Sequence, residues 1–183
     1  MNLKLLTSSC MVFAALLLAG CNDEDAVVQV PAPIAMTEEA VGHYCNMNIL
    51  EHTGPKAQIH LKNVAFPIWF SQVRDAIAYT RLPEETHEAV AIYVNDMGVA
   101  ADWDYPGDGS WIDIKTAYFV IDSSKTGGMG APEAIPFGNE SAAMEFAADH
   151  GGKIVQLDDI PDAYVLGPVD LKHQNHANDG AIY

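Results

Sequence analysis

Lys56-Ala57-Gln58-Ile59-His60-Leu61-Lys62 alternates polar with apolar residues, the period of a strand with two unlike faces. The short apolar run Phe66-Pro67-Ile68-Trp69-Phe70 reads as a second strand. Ser71 is placed to cap a helix over residues 71–82, with Val73, Ile77 and Ala78 on one face and Pro83 as its stop. Ala89-Val90-Ala91-Ile92-Tyr93-Val94 then reads as a buried strand. The order returns downstream. Trp111-Ile112-Asp113-Ile114 and Ala117-Tyr118-Phe119-Val120-Ile121 open the second half, and Ile135-Pro136-Phe137 follows. Asn139 caps a second helix, whose Met144, Phe146 and Ala147 sit at core spacing; Gly151-Gly152 stops it, and Lys153-Ile154-Val155-Gln156-Leu157 is the last strand. Each half reads strand, short strand, helix, strand. The fold class is α+β, two ββαβ units in tandem.

The ends carry other information. Lys4 followed by Cys10 through Ala19 has the charge and apolar run of a signal peptide, too short for the roughly 20 apolar residues of a membrane-spanning helix. Leu18-Ala19-Gly20-Cys21 has the form of a lipobox, and Asn22-Asp23-Glu24-Asp25 behind it reads as a polar tether. The expected organisation is a signal peptide at 1–20, a lipidated linker at 21–41 anchored through Cys21, the α+β domain at 42–169 and a flexible tail at 170–183. Val27–Ala35 is Val/Pro/Ala-rich and aperiodic, the composition of an extended spacer. The product expected is a periplasm-facing membrane lipoprotein, with inner or outer membrane undecided.

Nine Lys and Arg stand against 25 Asp and Glu, a formal charge of −16 that becomes −17 once Lys4 leaves with the signal. Such acidity excludes nucleic acid, whose phosphates need a basic surface. It also disfavours a grip on anionic lipid, which leaves the acyl chain on Cys21 as the membrane link. Hydrophobic residues make up 49% of the chain, so the charge is the skin of a globular domain rather than a disordered tail.

Of the three cysteines, Cys10 goes with the signal and Cys21 takes the lipid. Cys45 remains without a partner in an oxidising compartment, where thiols are usually paired. A lone thiol there is either a small buried hydrophobe or a deliberate ligand. Cys45-Asn46-Met47 favours the ligand. In extended backbone, residues two apart point to the same side, so thiolate and thioether meet one ion, and such soft donors select Cu(I) over Mg(II) or Ca(II).

Two further methionines stand in turn-like surroundings, Met97 in Asn95-Asp96-Met97-Gly98 and Met129 in Gly127-Gly128-Met129-Gly130. Glycines let backbone approach closely or take positive φ, and they leave the side chain reaching from a loop. The plain alternative for each is a methionine filling a gap under a loop. Met144 belongs to the core by its spacing, and Met36 is incidental to the linker. His43, two residues before Cys45, is a further candidate donor; His52, His60, His87 and His150 fall on surfaces without partners at ligand spacing. His173 and His176 lie in the tail.

Other chemistries lack residues. No second mature cysteine and no H-E-x-x-H supports a zinc site. Asp102-Trp103-Asp104-Tyr105-Pro106-Gly107-Asp108 opens like a calcium loop, but Pro106 removes a ligand and Asp113 stands where a bidentate Glu is needed, so it reads as a turn. A thiol enzyme, organometal lyase-like, and a non-catalytic lipoprotein scaffold are the alternatives to a metal carrier. The expected protein is not an enzyme.

A group of stretches resembles a known family: Tyr44-Cys45-Asn46-Met47, Gly54-Pro55-Lys56-Ala57-Gln58-Ile59, Trp69-Phe70-Ser71, Arg74-Asp75-Ala76, Ile92-Tyr93-Val94-Asn95-Asp96-Met97-Gly98, Trp111-Ile112-Asp113 and Gly127-Gly128-Met129-Gly130-Ala131-Pro132-Glu133. Together they resemble the NosL family, lipoprotein copper chaperones associated with nitrous-oxide reductase. The resemblance implies Cu(I) delivery for maturation of that reductase. It also implies nitrous-oxide reductase or its membrane transporter assembly complex as partner, and a fold similar to organomercurial lyase. It carries copper binding to Cys45 and Met47 first, then to Met97 and Met129, with the third donor open among Met97, Met129 and His43. Position 46 is Asn where relatives are expected to carry Gly.

Overall fold

The alternating stretch at 56–62 is β1 (Ala57–Leu61), and its neighbours in the sheet are β2 (Ile68–Phe70) and β3 (Ala89–Asn95), both antiparallel to it. The computed structural model describes residues 30–169. The signal peptide, Cys21 and the tail from residue 170 lie outside the described residues. Helix α1 (Val73–Arg81) carries the chain from β2 to β3. A short strand, β4 (Trp111–Asp113), extends this sheet to the order β2-β1-β3-β4. In the second half, β5 (Tyr118–Ile121) lies between β6 (Ile135–Phe137) and β7 (Lys153–Val155), and α2 (Glu140–His150) connects these last two. The orders β2-β1-β3 and β6-β5-β7 are one permutation, so the two ββαβ units are a structural repeat.

Trp111-Ile112-Asp113 differs from the expectation that it opens the second half. It pairs with the outer edge of β3, Asn95 opposite Trp111, and covers backbone groups that an edge strand would leave bare. Asp113 accepts a hydrogen bond from Lys115 N at 2.8 Å and caps the short 3-10 turn that leads into β5.

The two units share one core. Phe119 and Ile121 of β5 join Ala57, Ile59, Phe70, Val73, Ile77 and Val94 of the first unit. Val120 points to the other face and packs with Ile135, Phe137 and Ala143 under α2. This is the two-residue alternation of a strand sandwiched between layers. In α2, Asn139 accepts from Ala142 N at 2.9 Å as expected of a cap. Met144 is 60% exposed, against its expected place in the core: Ala143, Phe146 and Ala147 define the inward face, and residue 144 is turned about 100° from 143.

The polar side of β1 is also covered, because the segment before residue 41 folds back over it. Gln58 bonds both backbone groups of Ile34, accepting at 2.9 Å and donating at 3.0 Å, and Met36 N donates to Asp108 at 2.9 Å. Met36 is buried with Ala40, Ile49 and Trp69, not incidental, and His60 is buried beneath the same segment beside Gln58. A short helix without an apolar period, α3 (Asp162–Leu166), closes the far side and is tied to α1 by Arg81.

Helix α1 is not capped by Ser71. Its N-cap position is Gln72, whose side chain makes no capping bond. The carboxylate of Glu133 does this from the second unit, accepting from Arg74 N at 2.8 Å and Val73 N at 3.3 Å. Glu133 is fully enclosed, and burial raises its carboxyl to about 8 against the pull of the amides of Arg74 and Ala134.

Candidate metal centre

Residues 41–48 form a small closed loop against β2. Val41 bridges to Asn48, Gly42 N donates to Met47 O and Asn46 N to Gly42 O, each at 2.9 Å, and His43 N donates to Trp69 O at 2.7 Å. The extended backbone expected at 43–47 is absent: residues 43–45 are a turn, and Asn46 has φ +54°. Side chains there strain by roughly 1–2 kcal/mol unless they are Gly or, less often, Asn or Asp. This accounts for Asn at 46.

The turn places the thiol over the backbone of Gly42. A Cβ on Gly42 would stand 2.5 Å from Cys45 Sγ. Cys45 is half-buried, with Sγ 3.8 Å from Ser71 Oγ and 4.0 Å from Met47 O. Ser71, freed from capping, is thus the polar neighbour of the thiol. Met47 is 39% exposed on the same loop.

The second loop spans residues 126–132. Thr126 bridges to Pro132, Gly127 N donates to Ala131 O at 2.9 Å, and Gly130 has φ +79°. Its other glycines are close-approach positions. A Cβ on Gly127 would meet Glu133 Oε2 and Gln72 Oε1, and one on Gly128 would meet His52 Cβ and Thr53 O, all under 3 Å. Met129 N donates to Gln72 Oε1 at 3.0 Å. Gln72 directly follows the Ser71 that touches Cys45, so the structure brings the Met129 loop to the thiol loop. Met129 is 39% exposed.

The other two candidates have different surroundings. Met97 N donates to Pro136 O, and its side chain packs against the buried cluster of Val120, Ile135, Phe137 and Ala143 under α2. None of these groups belongs to the surroundings of Cys45. The ring of His43 lies among Tyr44, Phe70 and Tyr79, with Nε2 4.0 Å from Glu85. Tyr44, edge-on to Phe70, has its hydroxyl pushed up to about 12 by burial, with Glu85 and Asp75 adding to it. An aromatic wall therefore flanks the thiol loop on the α1 side.

Comparison with known proteins shows the family. The sequence model of the family described as NosL matches residues 33–165. The chain belongs to the NosL family. It is 52% identical over 170 residues to the copper-binding lipoprotein NosL of Achromobacter cycloclastes, covering 92% of this chain and 88% of that protein. Identity to the copper-binding lipoprotein NosL of Stutzerimonas stutzeri is 32% over 173 residues, covering 93% and 89%. The crystal structure of the copper chaperone NosL from Shewanella denitrificans superposes with a TM-score of 0.66 at 32% identity, over 72% of this chain and 97% of that one.

Among the described residues, no group of three His, Cys, Asp or Glu side chains is placed to hold a metal; Cys45 is half-buried, and Met47 and Met129 are each 39% exposed on their loops. Also among the described residues, no helix is long and apolar enough to cross a membrane. The sequence reading missed the residues that build the site without binding in it: Gly42, Ser71, Gln72, His52 and Glu133. Only the glycines gave a signal, since a glycine three residues before a lone cysteine suggests a close approach.

Proposed function

We propose that this chain is an exported, lipid-anchored carrier of Cu(I), held by Cys45, Met47 and Met129 and passed on for maturation of nitrous-oxide reductase. The observation that carries the reading is the placement of Cys45: a half-exposed thiol on a hydrogen-bonded loop, with Met47 two residues away and the Met129 loop joined to its neighbour Ser71 through Gln72. One thiolate and two thioethers form a soft set that suits Cu(I) and discriminates against hard divalent ions. Three donors on two loops, with the methionines partly exposed, leave an incoming thiolate or thioether room to displace them one at a time. Binding and release are thereby compatible, as a carrier requires.

The lipid belongs on Cys21 and the compartment is periplasm-facing, in keeping with the relatives described as lipoproteins. The recipient is nitrous-oxide reductase or its membrane transporter assembly complex. The acidic balance, −17 once Lys4 leaves with the signal, gives a basic partner a long-range pull that raises encounter rate more than affinity. The chain acts by binding and transfer, not by turnover.

Anaerobic Cu(I) titration against a chromophoric chelator tests the donor set. Cys45→Ala is expected to weaken binding by more than about 100-fold, beyond the range typical of residues that only support a ligand, and Met47→Ala to weaken it less. Unchanged affinity in both variants would remove Cys45 and Met47 from the site.

A further inference from the structure

The Gly128–Met129 peptide is held at both of its polar ends. Met129 N–H donates to Gln72 Oε1 at 3.0 Å, and on the other side of the same amide plane Gly128 C=O faces His52 Nδ1 at 3.3 Å. A carbonyl only accepts, so the proton of this contact sits on His52 Nδ1. The two partners come from different places. His52 follows the 3-10 turn that leaves the thiol loop, and His52 N donates to Ile49 O at 3.3 Å. Gln72 is the N-cap residue of α1, buried, with its amide oriented by donation from Nε2 to Asp75 Oδ2 at 3.1 Å.

We infer that His52 and Gln72 are positioning residues that clamp the Gly128–Met129 peptide and so set the Met129 sulfur against Cys45. The inference rests on the reading of Met129 as a donor. A glycine-rich loop has many backbone states, and a sulfur on it binds weakly unless those states are removed before the ion arrives. The clamp removes them with two hydrogen bonds to one rigid plane, which fixes the direction in which Met129 leaves the chain. Gly128 has to lack a side chain for this, because the His52 Cβ lies 2.6 Å from where its Cβ would be. His52 Nε2 is buried with no hydrogen-bond partner. Within the protein, the hydrogen bond of that ring is the one made through Nδ1.

The test is a set of cycles on the full chain, reading Cu(I) affinity by anaerobic chelator competition and sulfur coordination by X-ray absorption. His52→Ala and Gln72→Ala are each expected to weaken Cu(I) binding by roughly 10- to 100-fold, the usual cost of losing a ligand's support. In a Met129→Ala background both effects should vanish, since the clamp then holds nothing that binds. His52→Asn, which keeps a donor at the Nδ1 position but has no counterpart of Nε2, should recover most of the affinity; it also serves if His52→Ala fails to fold. If Met129→Ala leaves the affinity unchanged, the donor reading fails and the clamp with it. If Met129→Ala weakens binding while His52→Ala and Gln72→Ala do not, or add to it independently, the clamp alone is overturned. His52→Asn as weak as His52→Ala, with a nitrogen neighbour of copper lost, would make His52 a ligand through Nε2 and contradict the positioning role.

Discussion

The two sulfur-bearing loops are built by opposite means. Residues 42–47 brace themselves: Gly42 bonds to Asn46 and Met47, and its missing side chain is the space in which Cys45 Sγ sits. Residues 127–131 close a tight turn of their own, but what places that turn is external. Gln72 and His52 grip one peptide, and Glu133, just beyond the turn, is locked to the N-terminus of α1. The thiol therefore depends on a few adjacent residues, whereas the Met129 sulfur depends on the docking of one ββαβ unit against the other. A carrier gains from that division. On the donor set proposed above, the thiol stays with one rigid unit, and the Met129 thioether can loosen when the second unit or a partner disturbs the contact.

The comparison breaks most sharply at Gly42. Gly42→Ala is expected to drive Cys45 Sγ off its position and weaken Cu(I) binding by about 100-fold, the upper range for loss of a ligand's support. Fold and the Met129 turn should be preserved, as circular dichroism and chelator competition on the same sample will show. Glu133→Ala acts on stability as well: it strips two amides of α1 of their acceptor in a sealed site. A loss of about 2–4 kcal/mol in chemical denaturation is expected, together with weaker copper binding from the loosened second loop. Glu133→Gln sharpens the same point by pH. Because burial holds the folded carboxyl near 8, above its ordinary value of 4.5, its contribution to stability is complete below about 4.5 and is lost as pH rises through about 8. Lys56, drawn down to about 8 by burial, runs the other way: its contribution is present above about 10.5 and lost as pH falls through about 8. The melting temperature of the apo protein should fall between about pH 5 and 8, and Glu133→Gln should flatten that slope. The smallest effect is reserved for the other turn methionine. Met97→Leu, a volume-conserving exchange beneath α2, is expected to cost under about 1.5 kcal/mol and to leave copper affinity unchanged in the chelator assay.

The repeat was legible because local residues specify it. Alternation at β1, the Asn139 cap and the Gly151-Gly152 stop announce the elements, and the Cys45-x-Met47 spacing announces soft-metal chemistry. Where the reading failed, the decisive partner was distant. Ser71 looks like the cap of α1 until Glu133, about sixty positions on, takes that role and leaves the hydroxyl to face the thiol. Trp111 looks like the start of a second sheet until the free edge of β3 claims it. Met144 is an apolar residue on the outer side of α2, whose facing surface is set elsewhere, and Met36 is buried only because the segment before residue 41 folds back over β1. The extended backbone expected to align Cys45 with Met47 is replaced by a closed loop with a left-handed Asn46, which puts Cys45 Sγ 4.0 Å from Met47 O. Met97 and Met129 read alike in sequence, each beside glycine in a turn, and only tertiary packing separates the one under α2 from the one beside Ser71 and Gln72.

The donor set is tested most directly by copper K-edge X-ray absorption on the Cu(I)-loaded protein, comparing wild type, Met129→Ala and Met97→Ala under anaerobic conditions. Sulfur neighbours from Cys45, Met47 and Met129 are expected in the wild type and in Met97→Ala, with one sulfur fewer in Met129→Ala. A sulfur count that survives in Met129→Ala and drops in Met97→Ala would contradict the site described here.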